Sequence, residues 1–172
     1  MTISVSLDFE TADNRPDSAC AIGMARIENG RITDTLYTLL RPPRRRMLYT
    51  WVHGLHWNDV RDAPSFAEAW SSLLDFMQGA DHLAAHNAGF DRRVLQACCA
   101  AAGLTLSGLP FLCTLKGSRR ILRLPSHKLS DVCAHFNITL SHHHAGSDAR
   151  AAAEILLRLR AMGLSDELMR LQ

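Results

Sequence analysis

The chain has 172 residues, of which 47% are hydrophobic and 21% are charged, and its formal net charge is +2. This size and composition are typical of one globular domain with its own core, and no apolar run reaches the roughly 20 residues that span a bilayer. A net charge this small does not by itself indicate a nucleic-acid binder. Any cationic binding surface must therefore come from basic residues clustered on one part of the chain. Five cysteines without CxxC spacing predict reduced thiols and a cytoplasmic protein. Because the first residues lack a basic region, we expect no signal peptide.

The first 40 residues predict three strands. Ile3–Phe9 alternates apolar and polar residues, and Ala19–Glu28 is a second apolar run. Asn29-Gly30, the strongest two-residue hairpin signal, then leads into an antiparallel third strand over Arg31–Leu40. Residues 41–63 show no clear periodicity and predict a long connection.

Helices and short strands alternate through the rest of the chain. Pro64 and Ser65 open an amphipathic helix that Gly79 ends, and further strands are predicted at His82–His86 and Phe111–Thr114. The other predicted helices cover Ala88–Gly103, Leu115–Leu122, Lys128–Phe136 and Ser147–Met162. This order predicts an α/β layer fold on a mixed five-stranded sheet with helices on both faces. We expect one domain over residues 1–163 and a C-terminal tail, with a short helix, over residues 164–172.

Two carboxylates lie on the first predicted strand. Asp8 and Glu10 are two residues apart, so their side chains point to the same face. A core strand that carries two carboxylates on one face needs a cation to neutralise them. The alternative is a solvated end of the strand.

A third carboxylate, Asp91, lies in the first turns of the helix after the fourth strand. In an open α/β sheet the carboxyl ends of the strands are where ligands bind. The alternative is that Asp91 only compensates the helix dipole, with Asn87 as a cap.

The fourth carboxylate, Asp148, begins the last helix, and the histidines His142–His144 precede it. Three histidines raise the hypothesis of a zinc site. Consecutive residues rarely point at one metal, so we expect only one of the three to do chemistry while the others pack or face solvent.

Three motifs in order resemble those of the DEDDh 3′–5′ exonucleases, a DnaQ-like group that includes the epsilon subunit of DNA polymerase III, ribonuclease T and exonuclease X. They are Asp8-Phe9-Glu10-Thr11, His86-Asn87-Ala88-Gly89-Phe90-Asp91, and His143 five residues before Asp148. The resemblance runs from about Ile3 to Leu159. It implies a ribonuclease H-like fold.

The resemblance also implies roles for particular residues. Asp8, Glu10, Asp91 and Asp148 would be catalytic and hold two divalent metal ions, and His143 would be the general base. The residues implied in substrate binding are Phe9, Thr11, His53, Leu55, Asn87 and Phe90. Oxygen ligands favour Mg²⁺ or Mn²⁺ over zinc, and two such ions can activate water and stabilise the leaving oxygen.

The implied reaction releases nucleoside 5′-monophosphates from the 3′ end of single-stranded nucleic acid, with DNA favoured and RNA as the alternative. Relatives include monomers and dimers, so a homodimer stays open, as does association with a polymerase or repair complex. No membrane partner is expected. The alternative hypotheses are a binding module that has lost catalysis and a zinc-dependent hydrolase. The metal that supports activity distinguishes the nuclease from the hydrolase.

Two basic segments are candidates for substrate binding. Arg41–Arg46 is either a phosphate-binding loop or a solvated one. The second set could bind the backbone of the nucleic-acid strand, because Arg pairs with phosphates. It comprises Lys116, Arg119, Arg120, Arg123 and Lys128. Aromatic side chains stack on single-stranded bases, which makes Trp51 and Trp57 further candidates.

Overall fold

A mixed five-stranded sheet organises the computed structural model, which describes residues 2–106 and 108–172. The strand order is β3-β2-β1-β4-β5. β1 pairs antiparallel with β2 and parallel with β4, β2 pairs antiparallel with β3, and β4 pairs parallel with β5. The prediction of a mixed five-stranded sheet is confirmed. The strands are β1 Ser4–Thr11, β2 Ala19–Glu28, β3 Arg31–Leu39, β4 His82–Ala85 and β5 Phe111–Cys113.

The helices begin and end close to where the sequence predicts them. The expected connection over residues 41–63 carries two four-residue helices, α1 and α2, whose brevity explains the missing periodicity. None of the helices in the described ranges is long and apolar enough to cross a membrane. The helices are α1 Thr50–His53, α2 Trp57–Val60, α3 Phe66–Met77, α4 Gly89–Ala101, α5 Thr114–Ile121, α6 Leu129–Phe136, α7 Ala145–Ala161 and α8 Asp166–Met169.

The hairpin between β2 and β3 follows from its two central residues. Asn29 has φ 53° and Gly30 has φ 74°. A two-residue turn with positive φ at both positions matches the twist of the flanking strands. The predicted hairpin is confirmed, and it fixes which face of β2 each side chain occupies.

Alternation along β1 divides its side chains between two cores. Val5, Leu7 and Phe9 lie in the cluster that α3 and α4 cover. On the opposite face, Ala25 and Ile27 of β2 pack in a second cluster with α6 and α7. Because Asp8 and Glu10 follow the alternation, they point toward the face that α7 covers.

The start of α7 packs closely on Gly23, the β2 residue paired with Asp8. A Cβ atom on Gly23 would lie 2.1 Å from the carbonyl oxygen of Ala145. At the far end of α7, Arg160 donates a hydrogen bond of 2.8 Å to the Ser4 hydroxyl. The helix is therefore held against β2 at its start and against β1 at its end, which places Asp148 over the carboxylates of β1.

The last residues pack against the sheet edge. The Leu171 N–H donates to the Phe111 carbonyl at 2.8 Å, Arg170 forms a bridge with Leu112, and Met169 is fully buried. The short helix expected in this segment is α8, over Asp166–Met169.

Replacing Gly23 by alanine tests the close approach of α7. The added methyl group must push the helix start away from β2, so we expect a loss of about 1–3 kcal/mol in the free energy of unfolding. Urea denaturation measures this loss. Gly89→Ala is the matched control, because a Cβ there meets nothing within 4 Å. Equal stabilities for the two variants would show that the contact at Gly23 relaxes freely.

Candidate active site

Three carboxylates converge where β1 meets the start of α7. Asp8 and Glu10 extend from β1, and Asp148 lies in the first turn of α7. One ligand atom of each lies within 4.8 Å of the other two. The same-face placement of Asp8 and Glu10 that the sequence predicts is present, and it is the face that α7 covers rather than a freely solvated strand end.

Asp91 reaches the same region from the other layer. It lies in the first turn of α4, is only 1% exposed, and its Oδ1 accepts a hydrogen bond of 3.2 Å from the Phe9 N–H. Phe9 stands between Asp8 and Glu10 in β1. The fourth carboxylate is therefore anchored to the backbone of the strand that carries the first two.

Burial and mutual repulsion disfavour ionisation of these groups in the metal-free protein. Burial, followed by the charges of Asp91, Asp148 and Glu10, raises the pKa of Asp8 well above its usual value. Burial and the Asp148 charge raise the pKa of Glu10 to about 7. Burial, with a contribution from Glu10, raises the pKa of Asp91 to about 8. Protons or cations must neutralise this cluster.

The donor set fits a hard divalent cation. Asp148 Oδ2 accepts a hydrogen bond of 3.3 Å from the His143 N–H, whereas Asp148 Oδ1 is buried and has no hydrogen-bond partner among the described residues. An orphaned buried carboxylate oxygen is costly unless something satisfies it. Clustered carboxylate oxygens are the ligands that Mg²⁺ and Mn²⁺ prefer.

The three consecutive histidines have different surroundings. His144 is the N-cap of α7 and accepts the Ser147 N–H at 3.3 Å, while its ring stacks on Tyr37. His143 has φ 64°, and its ring stacks on that of His142 at 3.8 Å between centroids. His142 Nδ1 lies 3.5 Å from Asp148 Oδ2.

The proximity of His142 to Asp148 was missed by the sequence reasoning, which relied on the five-residue offset of His143. His142, His143 and Asp148 form a second group whose ligand atoms lie within 4.8 Å of one another. Two imidazoles and a carboxylate are a better ligand set for zinc than for Mg²⁺. The zinc hypothesis therefore has a specific location, although the larger cluster is built of oxygen ligands.

The exonuclease family model (RNase T type) matches residues 5–156 of this chain. The chain belongs to this exonuclease family. It is 35% identical over 161 residues to the PolC-type DNA polymerase III of Caldanaerobacter subterraneus subsp. tengcongensis, covering 90% of this chain and 11% of that protein. It is 31% identical to the PolC-type enzyme of Thermotoga maritima, covering 92% and 12%. The chain thus spans about a tenth of the length of these relatives.

Solved structures share the fold. Exonuclease X in complex with 5′ overhanging duplex DNA superposes with a TM-score of 0.76 and 22% identity, covering 98% of this chain and 97% of that one. The nuclease domain of 3′hExo, a DEDDh family member bound to rAMP, gives a TM-score of 0.81 and 17% identity, covering 99% and 96%. The expected ribonuclease H-like fold is confirmed.

The fold places three of the expected substrate residues together at the end of β1, next to Glu10. The Leu55 N–H donates to His53 Nδ1 at 3.1 Å, so Nε2 carries the ring hydrogen and donates to the Thr11 carbonyl at 3.3 Å. Burial lowers the pKa of His53, which keeps the ring neutral. Thr11, His53 and Leu55 therefore form one hydrogen-bonded unit at the end of β1, and Cys20, which the sequence did not suggest, lies 3.9 Å from His53 Nε2.

The aromatic candidates separate by exposure. The Phe9 ring is 3% exposed and lies in the core, because alternation turns it away from Asp8. The prediction that Phe9 binds substrate therefore concerns its backbone. Phe90 is 38% exposed, and Asn87, in the turn before α4, is exposed with φ 68°. Trp51 is exposed, while Arg45 lies over the Trp57 ring at 5.5 Å.

Arg44 corrects the interpretation of the basic loop. Its guanidinium donates to Asp13 at 3.0 Å and to Asp17 at 2.9 Å, and this bonding lowers the pKa of Asp17. Arg44 is therefore committed to closing the turn between β1 and β2 and is not available to a phosphate.

The raised carboxylate pKa values predict how stability depends on pH. Without metal, the folded protein binds protons more tightly than the unfolded chain, so these groups make the free energy of unfolding fall as the pH rises from about 4 to about 8. At pH 8, Asp8→Asn should raise the Tm of the metal-free protein by roughly 3–10 °C, because 1 kcal/mol corresponds to about 2–4 °C at this size. Calorimetry in EDTA measures the change.

Asp75→Asn is the control for this measurement, because Asp75 is exposed on α3. His53 and His86, whose pKa burial lowers, act in the opposite direction, so each variant is compared with wild type at the same pH. A Tm difference for Asp8→Asn that does not grow between pH 5 and pH 8 would contradict the assigned repulsion.

Proposed function

We propose that this exonuclease removes nucleoside 5′-monophosphates one at a time from the 3′ end of single-stranded nucleic acid, with DNA as the favoured substrate. One observation carries the proposal: Asp8, Glu10 and Asp148 converge within 4.8 Å beside a histidine loop. The PolC-type polymerases and the DNA complex of exonuclease X among the similar proteins support DNA. The rAMP complex of 3′hExo keeps RNA as the alternative substrate.

Asp8, Glu10, Asp91 and Asp148 would hold two divalent cations, Mg²⁺ or Mn²⁺. When bound, such ions supply charge neutralisation at the scissile phosphate and a more acidic water. The chain's own contribution is to keep four carboxylates close together through the Phe9 N–H bond to Asp91 and the packing of α7 on β1.

His143 would take the proton from the attacking water. Its ring is exposed at the rim of the carboxylate cluster, and its backbone N–H is bonded to Asp148, which keeps the loop next to that carboxylate. A positioned imidazole is the side chain that most often accepts a proton from water at neutral pH.

The terminal nucleotide would lie against the unit formed by Thr11, His53 and Leu55. The neutral His53 ring fixes the Thr11 carbonyl and the Leu55 backbone at the end of β1. Phe90 offers an exposed ring on the α4 side, and Asn87 offers an exposed amide next to it. Phe9 contributes only its backbone N–H, which orients Asp91.

A binding module without catalysis and a zinc-dependent hydrolase are the competing functions. The first would have no use for four carboxylates whose repulsion disfavours the fold. The second is favoured only by the His142–His143–Asp148 group. A homodimer and association with a polymerase stay predictions.

Cleavage of 5′-labelled oligonucleotides tests the proposal. Single-stranded DNA and RNA of one sequence are incubated with Mg²⁺, Mn²⁺, Zn²⁺ or EDTA. We expect a ladder that shortens from the 3′ end with Mg²⁺ or Mn²⁺ and that disappears in Asp8→Ala and Asp148→Ala, with Asp75→Ala as the control. Appreciable activity in either site variant would contradict the two-metal assignment, and activity with zinc alone would favour the hydrolase.

Separate alanine variants of the histidines test the general base. His143→Ala should lower kcat by about 10²–10⁴-fold, the usual contribution of a general base, and remove the acid limb of the pH–rate profile. His144→Ala should mainly lower stability, because His144 caps α7. If His142→Ala rather than His143→Ala removes the acid limb, the base is His142.

A further inference from the structure

A cationic groove of about 820 Å³ adjoins the carboxylate cluster, and its basic residues Arg119 and Lys128 have no role in the proposed function. It lies between the turn after β4 and the connection from α5 to α6. None of the residues that line it is acidic. Its polar and charged lining is formed mainly by His86, Asn87, Arg119, His127, Lys128 and His142.

The groove is continuous with the carboxylate cluster. His142 lines the groove and also lies 3.5 Å from Asp148. His86 and Asn87 follow the end of β4, the strand that pairs with β1. A chain that leaves the carboxylates in this direction enters the groove directly.

The groove lies on the opposite side of the carboxylates from the unit assigned to the terminal nucleotide. His53 contacts Thr11 and Cys20, at the ends of β1 and β2. His86 Nδ1 lies 2.9 Å from the Thr114 hydroxyl, immediately after β5. In the strand order β2-β1-β4-β5, Asp8 and Glu10 of β1 therefore separate the two sites.

Two cations in the groove are available to a ligand. Arg119 and Lys128 are exposed, and neither side chain forms an ion pair with any residue in the described ranges. Lys116, by contrast, donates to the Arg170 carbonyl at 2.7 Å. Arg120 and Arg123 are exposed but do not line the groove. The basic set suggested by the sequence thus divides into two available groove residues and three others.

A neutral histidine fixes the wall of the groove. His86 Nε2 lies 2.9 Å from the His127 carbonyl and must donate to it, so Nδ1 accepts from the Thr114 hydroxyl. Burial, together with the charges of Arg119 and His127, lowers the pKa of His86. The bond to the carbonyl of His127 holds the backbone next to Lys128 in place.

We propose that this groove binds the phosphates on the 5′ side of the scissile bond of the same strand, with Arg119 and Lys128 as the contacting cations. The proposal rests on the proposed function, which places the terminal nucleotide on the His53 side. An acid-free groove beside four carboxylates attracts the polyanionic strand while the carboxylates themselves repel it without metal. Arg119 and Lys128 then act on substrate length and affinity rather than on the chemical step.

Charge-removing variants with an adjacent control test the groove. Arg119→Gln combined with Lys128→Gln removes two groove charges, and Arg120→Gln combined with Arg123→Gln removes two charges from the same segment outside the groove. With Mn²⁺, the groove pair should raise KM for a single-stranded 12-mer at least about 10-fold and reduce the slope of log KM against log salt by about 1.4, or 0.7 per phosphate contact. The control pair should change KM by no more than about 2-fold and should leave the slope unchanged.

A small substrate isolates the terminal site. The p-nitrophenyl ester of thymidine 5′-monophosphate has no 5′-side phosphates, so the groove pair should hydrolyse it at the wild-type rate. Equal losses on the ester and the 12-mer would overturn the proposal, and so would equal effects of the two variant pairs. A loss confined to duplexes with a 5′ overhang would assign the groove to the complementary strand and would also overturn it.

Binding without turnover separates the two proposals. Fluorescence anisotropy of the labelled 12-mer in EDTA should show weaker binding for the groove pair than for the control pair. If wild type cleaves nothing, the proposed function fails, while this binding difference still supports the groove. If wild type cleaves but both variant pairs bind equally, only the groove assignment fails.

Discussion

The packing of four carboxylates around one strand end is the constraint on which the rest of the structure depends. Burial and repulsion raise the pKa of Asp8, Glu10 and Asp91, and burial alone raises that of Asp148, so the cluster disfavours the ionised folded state unless a cation is bound. The apolar clusters on the two faces of the sheet supply the stability that tolerates it. The absence of a side chain at Gly23 lets α7 bring Asp148 close enough for the cluster to form.

The basic residues around this cluster differ in whether an acid neutralises them, although the net charge of the chain is only +2. Arg44 is neutralised by Asp13 and Asp17 and closes a turn. Arg119 and Lys128 remain exposed in a groove that contains no acid. Two of the histidines lie between these regions, next to Asp148. Under the proposed function, this arrangement attracts a phosphate chain along the groove and places its reactive end among the carboxylates.

Much of the fold and the convergence of the site could be predicted from the sequence, because these features depend on local patterns. Asn29-Gly30 specifies its hairpin by backbone conformation, and the spacing of Asp8 and Glu10 specifies a shared face. The partners of Arg44 could not be predicted, because Asp13 and Asp17 lie about 30 residues away and only the folded turn joins them. The motif that contains Phe9 does not say whether its ring or its backbone would contact substrate, whereas strand alternation places the ring in the core.

Counting bound Mn²⁺ ions by electron paramagnetic resonance, with a nucleoside 5′-monophosphate present, is the sharpest test of a two-metal centre. We expect two ions per chain that are close enough to couple magnetically, a rise in thermal stability on binding, and a loss of coupling in Asp8→Asn. One uncoupled ion, or two ions that persist in Asp8→Asn and disappear when His142 and His143 are replaced by alanine, would contradict it. The carboxylate cluster would then not be the metal centre.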